Sequence, residues 1–170
     1  MKMLQLPDAE VLHDLLNYDR ETGLFTWKHN RGYKAVAGAT AGSLSSSGYV
    51  LIMVNMKRYV AHRLAYKMVY GVDPPRLIDH IDGNKANNRI SNLRVASSQQ
   101  NQGNSVIPVN NKSGVKGVSW NKKMQRWVAQ IGRGKKRFYL GGFNTKEQAA
   151  QAYADAARDH FGAFAKGEGL

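Results

Sequence analysis

Apolar positions along the chain change period several times, and the changes mark out its elements. After Asp8, which can cap a helix, Val11, Leu12, Leu15 and Leu16 recur at helical spacing and predict a short helix through Leu16. The polar run Asp19 to Gly23 reads as a turn, and Leu24–Trp27 as a short strand. Gly48 opens Tyr49–Val54, Asn55-Met56 supplies a two-residue turn, and Lys57–Val60 returns, which predicts a β-hairpin. His62–Tyr70 returns to helical period with Leu64, Ala65 and Met68 inward, stopping at Gly71 before Asp73-Pro74-Pro75. Two short strands, Leu77–His80 and Asn92–Val95, flank the polar loop 81–91, and Ser97 or Ser98 can cap a short helix to about Gln102.

The stretch 103–112 holds Gly, Pro and several Asn without any period, and reads as a linker. Beyond it lie three candidate strands, Val115–Trp120, Arg126–Gly132 and Lys136–Leu140. Thr145 then caps an Ala-rich helix to about Phe161, with Gln148 completing a capping box and Ala149, Tyr153, Ala156 and His160 as its expected stripe. The pattern predicts an α+β chain with two modules, residues 1–104 and 113–166, joined by a linker at 105–112. In the second module one sheet face carries Trp127, Ala129, Ile131, Phe138 and Leu140 towards the helix. The other carries Arg126, Gln130, Arg137 and Tyr139 towards solvent.

Charge sharpens this division. The 170 residues include 25 Lys plus Arg against 12 Asp plus Glu, a net charge of +13. Residues 83–146 carry 13 basic side chains and no carboxylate, so the middle of the chain equals the whole net charge. Such a stretch repels itself unless a polyanion lies against it, and nucleic acid is the polyanion that fits. A membrane-surface helix fits worse, because the basic residues fall in a Gly-broken, strand-like pattern. No apolar run approaches the roughly 20 residues of a membrane span, and cysteine is absent. These features predict a cytoplasmic protein without disulfides or cysteine-bound zinc.

Strand, loop, strand and short helix can present a few polar groups to one phosphate. Asp79 and His80 point to opposite faces unless the strand ends there, and the strand end predicted at His80 lets both reach one site. Asp79 can give an anionic ligand to a hard cation, Asn101 a neutral oxygen, and His80 can accept a proton from water near neutral pH. Asn92 can hold the loop and orient the imidazole. Residues 77–104, LIDHIDGNKANNRISNLRVASSQQNQGN, resemble the ββα-metal motif of the HNH endonucleases, closest to the homing-type, phage- or intron-borne branch. The spacing His80, Asn92, Asn101 matches, as do the flanks LNYDRETGLFTWK and GYVLIMVNMKRYVAHRLAYKMVYG. By that resemblance Asp79 and Asn101 bind the metal, His80 is the general base and Asn92 positions it, with His62 and Arg94 as accessory positions. Many members have His where Asn101 stands, and the amide favours Mg²⁺ or Mn²⁺ over zinc.

Residues 113–165 resemble the plant Apetala-two (ethylene-response-factor) DNA-binding domain in the pieces GVKGVSW, RWVAQI, RFYLGGF and TKEQAAQAYADAA. That family reads the major groove with its sheet, which implies DNA contacts at Lys116, Ser119, Gln130, Arg137, Tyr139 and Tyr153. Lys116 and Ser119 stand where the plant domains usually have Arg, and Gly132 replaces another, for which Arg133 can compensate. The two resemblances together imply a metal-dependent endonuclease that nicks double-stranded DNA or cuts both strands and leaves 5′-phosphate and 3′-hydroxyl ends; the sequence shows no dimer face, so a monomer is expected. The competing expectation is a non-catalytic, sequence-specific DNA-binding protein on a degenerate HNH scaffold.

Overall fold

The computed structural model describes residues 5–33, 35–105, 107, 110–134 and 136–165. Val106, Pro108 and Val109 of the expected linker lie outside the described residues, as does the Arg133 side chain. By contact the chain divides into two compact units, Met1–Val95 and Ala96–Leu170. The sequence boundary at 105–112 differs from this division, which groups the short helix after Ser97 with the C-terminal unit.

In the first unit, helix α1 (Ala9–Leu15) is held by its buried Leu12. Asp8 occupies the N-cap position, but its side chain makes no cap hydrogen bond. Strand β1 (Leu16–Tyr18) pairs antiparallel with β2 (Phe25–Trp27) across the predicted turn, where Asp19 Oδ1 accepts from the Glu21 and Thr22 amides. Strands β3 (Ser43–Leu44), β4 (Val50–Val54) and β5 (Lys57–Val60) follow in the sheet order β3-β4-β5. Asn55 and Met56 have φ of 48° and 62°, the left-handed pair that a two-residue hairpin turn with the native strand twist demands. Helix α2 (Ala61–Tyr70) ends at Gly71 in the αL conformation, as its C-cap glycine predicts. Leu12, Leu16, Phe25, Ile52, Val54 and Leu64 form the centre of this unit's core. Strand β6 (Leu77–His80) is hydrogen-bonded to β7 (Leu93–Ala96), and the loop between them closes in a 3₁₀ turn, Ile90–Asn92.

The second unit begins with α3 (Ser98–Gly103), where Ser97 and Gln100 form a reciprocal capping box. Strands β8 (Val118–Asn121), β9 (Arg126–Arg133) and β10 (Lys136–Phe143) make an antiparallel sheet in the order β10-β9-β8, and α4 (Lys146–Phe161) packs on one face. Val118, Ala129 and Ile131 meet Ala149, Tyr153, Ala157 and Phe161 in this core. The buried row of the helix runs through Ala157 and Phe161; the expected Ala156 is partly buried against the same core, whereas the expected His160 is exposed. An unbroken i, i+4 row is inclined to the helix axis and can follow a twisted sheet, which the expected row does less well. β8 also starts three residues later than predicted, because residues 113–118 turn around Ser113 Oγ, which lies within hydrogen-bond reach of the carbonyls of Val115 and Val118, at 2.9 and 2.7 Å.

Gly117 closes that turn with φ of +72°, and a Cβ there would lie 2.3 Å from the Tyr153 ring and 2.4 Å from the Gln130 carbonyl. Gly117→Ala is expected to destabilise the second unit by about 2–4 kcal/mol, the sum of left-handed strain and overpacking. Amide hydrogen exchange resolved by unit checks this: protection should fall in β8 and β9 but not in β4 and β5. Unchanged protection would contradict the packing of Tyr153 beneath the turn.

Candidate active site and nucleic-acid interface

Strand β6 ends on the two residues singled out in the sequence, and both are buried, Asp79 at 5% exposure and His80 at 4%. Arg94, on the neighbouring β7, donates from Nε and from Nη2 to Asp79 Oδ2, each at 2.9 Å. The accessory position Arg94 thus neutralises a carboxylate that would otherwise be costly to bury.

The His80 ring meets an amide. Nε2 lies 3.4 Å from Asn88 Oδ1, and Asn88 Nδ2 donates to the Ala86 carbonyl at 3.1 Å, which turns the oxygen of the amide towards the ring. An amide oxygen only accepts, so Nε2 carries the hydrogen and Nδ1 is the nitrogen that can take a proton. Burial lowers the His80 pKa from its ordinary value, against the opposing influence of the Asn88 bond and of the Asp82 and Asp79 carboxylates. The imidazole is therefore neutral at pH 7, as a base has to be.

Aromatic groups complete its surroundings. His62, at the start of α2, stands edge-on to His80 with ring centroids 5.0 Å apart, and Tyr49 lies 5.4 Å from His62 and 6.1 Å from His80. The Lys85 ammonium lies over the Tyr49 ring at 4.9 Å. Burial, then the neighbouring charges of His80 and Arg63, push the His62 pKa down to about 3.

Asn92 braces the loop. Its Oδ1 accepts from the Asp82 amide at 3.0 Å, and its Nδ2 donates to Asp82 Oδ1 at 3.0 Å and to the Asn87 carbonyl at 2.9 Å. Although burial opposes it, bonds from Asn87, the Asn84 amide and Asn92 hold the Asp82 carboxyl below its usual range. The amide at the imidazole belongs to Asn88, a residue that sequence reasoning passed over among the asparagines of the loop. The turn between β1 and β2 fixes it from behind. The Tyr18 hydroxyl donates to the Asn88 carbonyl at 2.6 Å, the Ile90 amide donates to the Arg20 carbonyl, and a Cβ on Gly23 would stand 2.4 Å from the Arg89 nitrogen. Burial pushes the Tyr18 phenol up to about 12, which keeps it a neutral donor. Asn101 lies half-buried on α3, in the second unit.

In the second unit the strand register sets Ser119 opposite Val128, Asn121 opposite Arg126, and Gln130 opposite Tyr139. Opposed residues share a face, so Ser119, Arg126, Gln130, Arg137 and Tyr139 project from the side away from α4, and all five are exposed. The two other predicted DNA-contacting side chains are engaged within the unit. Tyr153 is buried in the core, and Lys116 Nζ donates to the carbonyls of Gln102, Gly103 and Ser105.

These two constellations coincide with two family matches. A family model described as HNH endonuclease matches residues 59–102, and one described as AP2 domain matches residues 113–162. Residues 59–102 are an HNH domain, and residues 113–162 an AP2 domain. An uncharacterized HNH endonuclease of Acanthamoeba polyphaga mimivirus is 36% identical over 124 residues, which cover 72% of this chain and 63% of the relative. Protein 3.8 of Escherichia phage T7 is 44% identical over 54 residues, 32% of this chain and 45% of that protein. A prophage-derived Bacillus subtilis protein, named as an HNH homing endonuclease, is 34% identical over 55 residues, 32% of each chain. The chain thus spans less than two thirds of these relatives. Among the described residues, no helix is long and apolar enough to cross a membrane.

The HNH domain contains both histidines of the buried pair, and His62 gives its fold a pH dependence whose sign can be worked out. Its pKa is about 3 in the folded chain and near 6.5 when unfolded, so between those values the unfolded state binds the extra proton. Stability is complete above pH 6.5 and falls on acidification, by at most about 1.4 kcal/mol per pH unit for this group. Urea unfolding between pH 7.5 and 4.5 should show that slope reduced in His62→Phe. An identical slope in the two proteins would mean that His62 is not held neutral by burial.

Proposed function

We propose that the chain is a metal-dependent DNA endonuclease, in which the HNH domain hydrolyses a phosphodiester and the AP2 domain grips double-stranded DNA. The observation that carries this reading is the buried, neutral His80 ring beside the Asp79 carboxylate, with Asn88 fixing the tautomer that makes Nδ1 the base.

The donors at hand suit a hard divalent cation, since Asp79 offers a carboxylate, Asn101 an amide oxygen, and the chain has no thiol. Among the described residues no three His, Cys, Asp or Glu side chains are grouped to hold a metal ion. A carboxylate and an amide oxygen are hard oxygen donors, and they would suit Mg²⁺ or Mn²⁺. When bound, such an ion supplies positive charge against the phosphate oxygens and the leaving 3′ oxygen. His80 Nδ1 takes the proton of the attacking water, which adds to phosphorus in line with that leaving oxygen. The products are a 5′-phosphate and a 3′-hydroxyl. Asn88 keeps Nε2 protonated through the cycle, Asn92 keeps the loop closed, and Arg94 holds Asp79 in its rotamer. One such site in a monomer cuts one strand per encounter.

The solvent face of the AP2 sheet supports the second half of the reading. Arg126 and Arg137 can reach phosphates or guanine edges, Gln130 can pair with adenine, and Tyr139 and Ser119 can contact backbone or bases.

Supercoiled plasmid incubated with Mg²⁺ or Mn²⁺, beside an EDTA control, is expected to relax by nicking. His80→Ala should lose at least about 10³-fold in rate while DNA affinity stays within twofold. Asn88→Ala should retain binding and lose about 10–100-fold in rate, the usual cost of removing a group that orients a catalytic one. Tight, salt-sensitive binding with no nicking on varied DNA would favour the non-catalytic DNA-binding protein instead.

A further inference from the structure

The helix that carries Asn101 falls at the end of the HNH match, yet its packing partners lie in the AP2 unit. Helix α3 has only six residues and cannot be stable alone. Its C-terminal end presents carbonyl groups with no partner along the helix, and Lys116 Nζ donates to three of this segment, those of Gln102, Gly103 and Ser105, at 2.9, 2.8 and 2.9 Å. Gly103 is pressed so close to α4 that a Cβ would stand 2.7 Å from Cγ of Phe161. On the sheet side, the Gln102 amide nitrogen lies 3.5 Å from where a Cβ of Gly132 would be. Gly132 stands on the face that carries Gln130 and Arg137, so α3 borders the surface assigned above to DNA. A cleft of about 370 Å³ joins the two, with Gln102, Lys116, Ser119, Gln130 and Arg137 among its lining.

We propose that the AP2 domain is the scaffold of the metal helix, and that Lys116 is a positioning residue which holds Asn101 in place by tying down the end of α3. The inference rests on the nuclease reading, in which Asn101 is a metal ligand. It assigns Lys116 a structural task at a position where the related DNA-binding domains usually use Arg to contact DNA.

The test uses the full chain with Lys116→Met and Lys116→Arg, since Arg can still donate to the carbonyls. In Lys116→Met, amide exchange of Asn101, whose N–H is bonded to the Ser97 carbonyl, should speed up about tenfold while that of β9 is unchanged. Single-turnover nicking at saturating DNA should need about tenfold more Mn²⁺ for half its maximal rate, with DNA affinity and its salt dependence unaltered. Lys116→Arg should restore both. The inference is overturned if Lys116→Met instead lowers the salt slope by about one and leaves exchange and Mn²⁺ requirement untouched, the signature of a phosphate contact. A wild-type protein that binds DNA without nicking it under any metal condition would overturn the nuclease reading itself. That outcome is distinct from a nicking enzyme whose α3 is indifferent to Lys116.

Discussion

Burying His80 and Asp79 side by side at the end of β6 takes both out of water, and much of the first unit is arranged to make that tolerable. A carboxylate at 5% exposure needs a cation or donors, and Arg94 supplies two nitrogens to one oxygen. An imidazole at 4% exposure is best neutral, and then needs one acceptor for its single N–H, which is Asn88 Oδ1. Asn88 is itself 2% exposed, so its other groups must be satisfied too, by the Ala86 carbonyl and the Tyr18 hydroxyl. Each partner creates the requirement for the next. The chain of demands ends only where Tyr18 and the turn after it join the apolar core around Leu16 and Phe25.

This explains why the segments before residue 59 matter to a site whose family match begins there. The β1–β2 turn contributes no chemistry, but it presses on the backbone of Asn88 and Arg89 and so fixes the height of the amide against the ring. His62 acts from another side. Its ring stands perpendicular to that of His80, and its burial keeps a second positive charge from forming beside that imidazole.

Much of this architecture was legible in local sequence. The hairpin turn at Asn55-Met56, the αL stop at Gly71, the capping box at Thr145 and a serine cap before α3 follow from backbone chemistry within four residues, and each occurs as expected, the cap at Ser97 being completed by Gln100. Residue type and spacing single out Asp79, His80 and Asn92; the bonds of Asn92 hold the loop, and the amide at the imidazole is that of Asn88. Asn88 escaped because its importance lies in burial, and nothing local separates it from Asn84 or Asn87, which serve exposed Asx-type turns. Strand β1 escaped because Leu16 continues the helical stripe of α1, and only pairing with Phe25–Trp27 decides that it is extended. The α4 stripe was misplaced by one residue at its end because a heptad-like row and an i, i+4 row coincide over their first two members and diverge afterwards.

The carboxylate-free stretch 83–146 begins in the loop under His80 and ends at the first residue of α4, so it includes the loop, β7, α3 and the whole sheet. Several of its cations are committed internally: Arg94 to Asp79, Lys85 to Tyr49 and the Ser47 carbonyl, and Lys116 to the end of α3. Those that remain outward on the sheet, Arg126 and Arg137 among them, lie on the face away from α4. The basic excess therefore does two kinds of work. Part of it neutralises and ties together the buried and irregular pieces of the chain, and part stays on one surface where a polyanion can gather it. A uniform electrostatic argument from net charge would have assigned all of it to the second task. The hydrogen bonds of Arg94 to Asp79 and of Lys116 to the end of α3 separate the two.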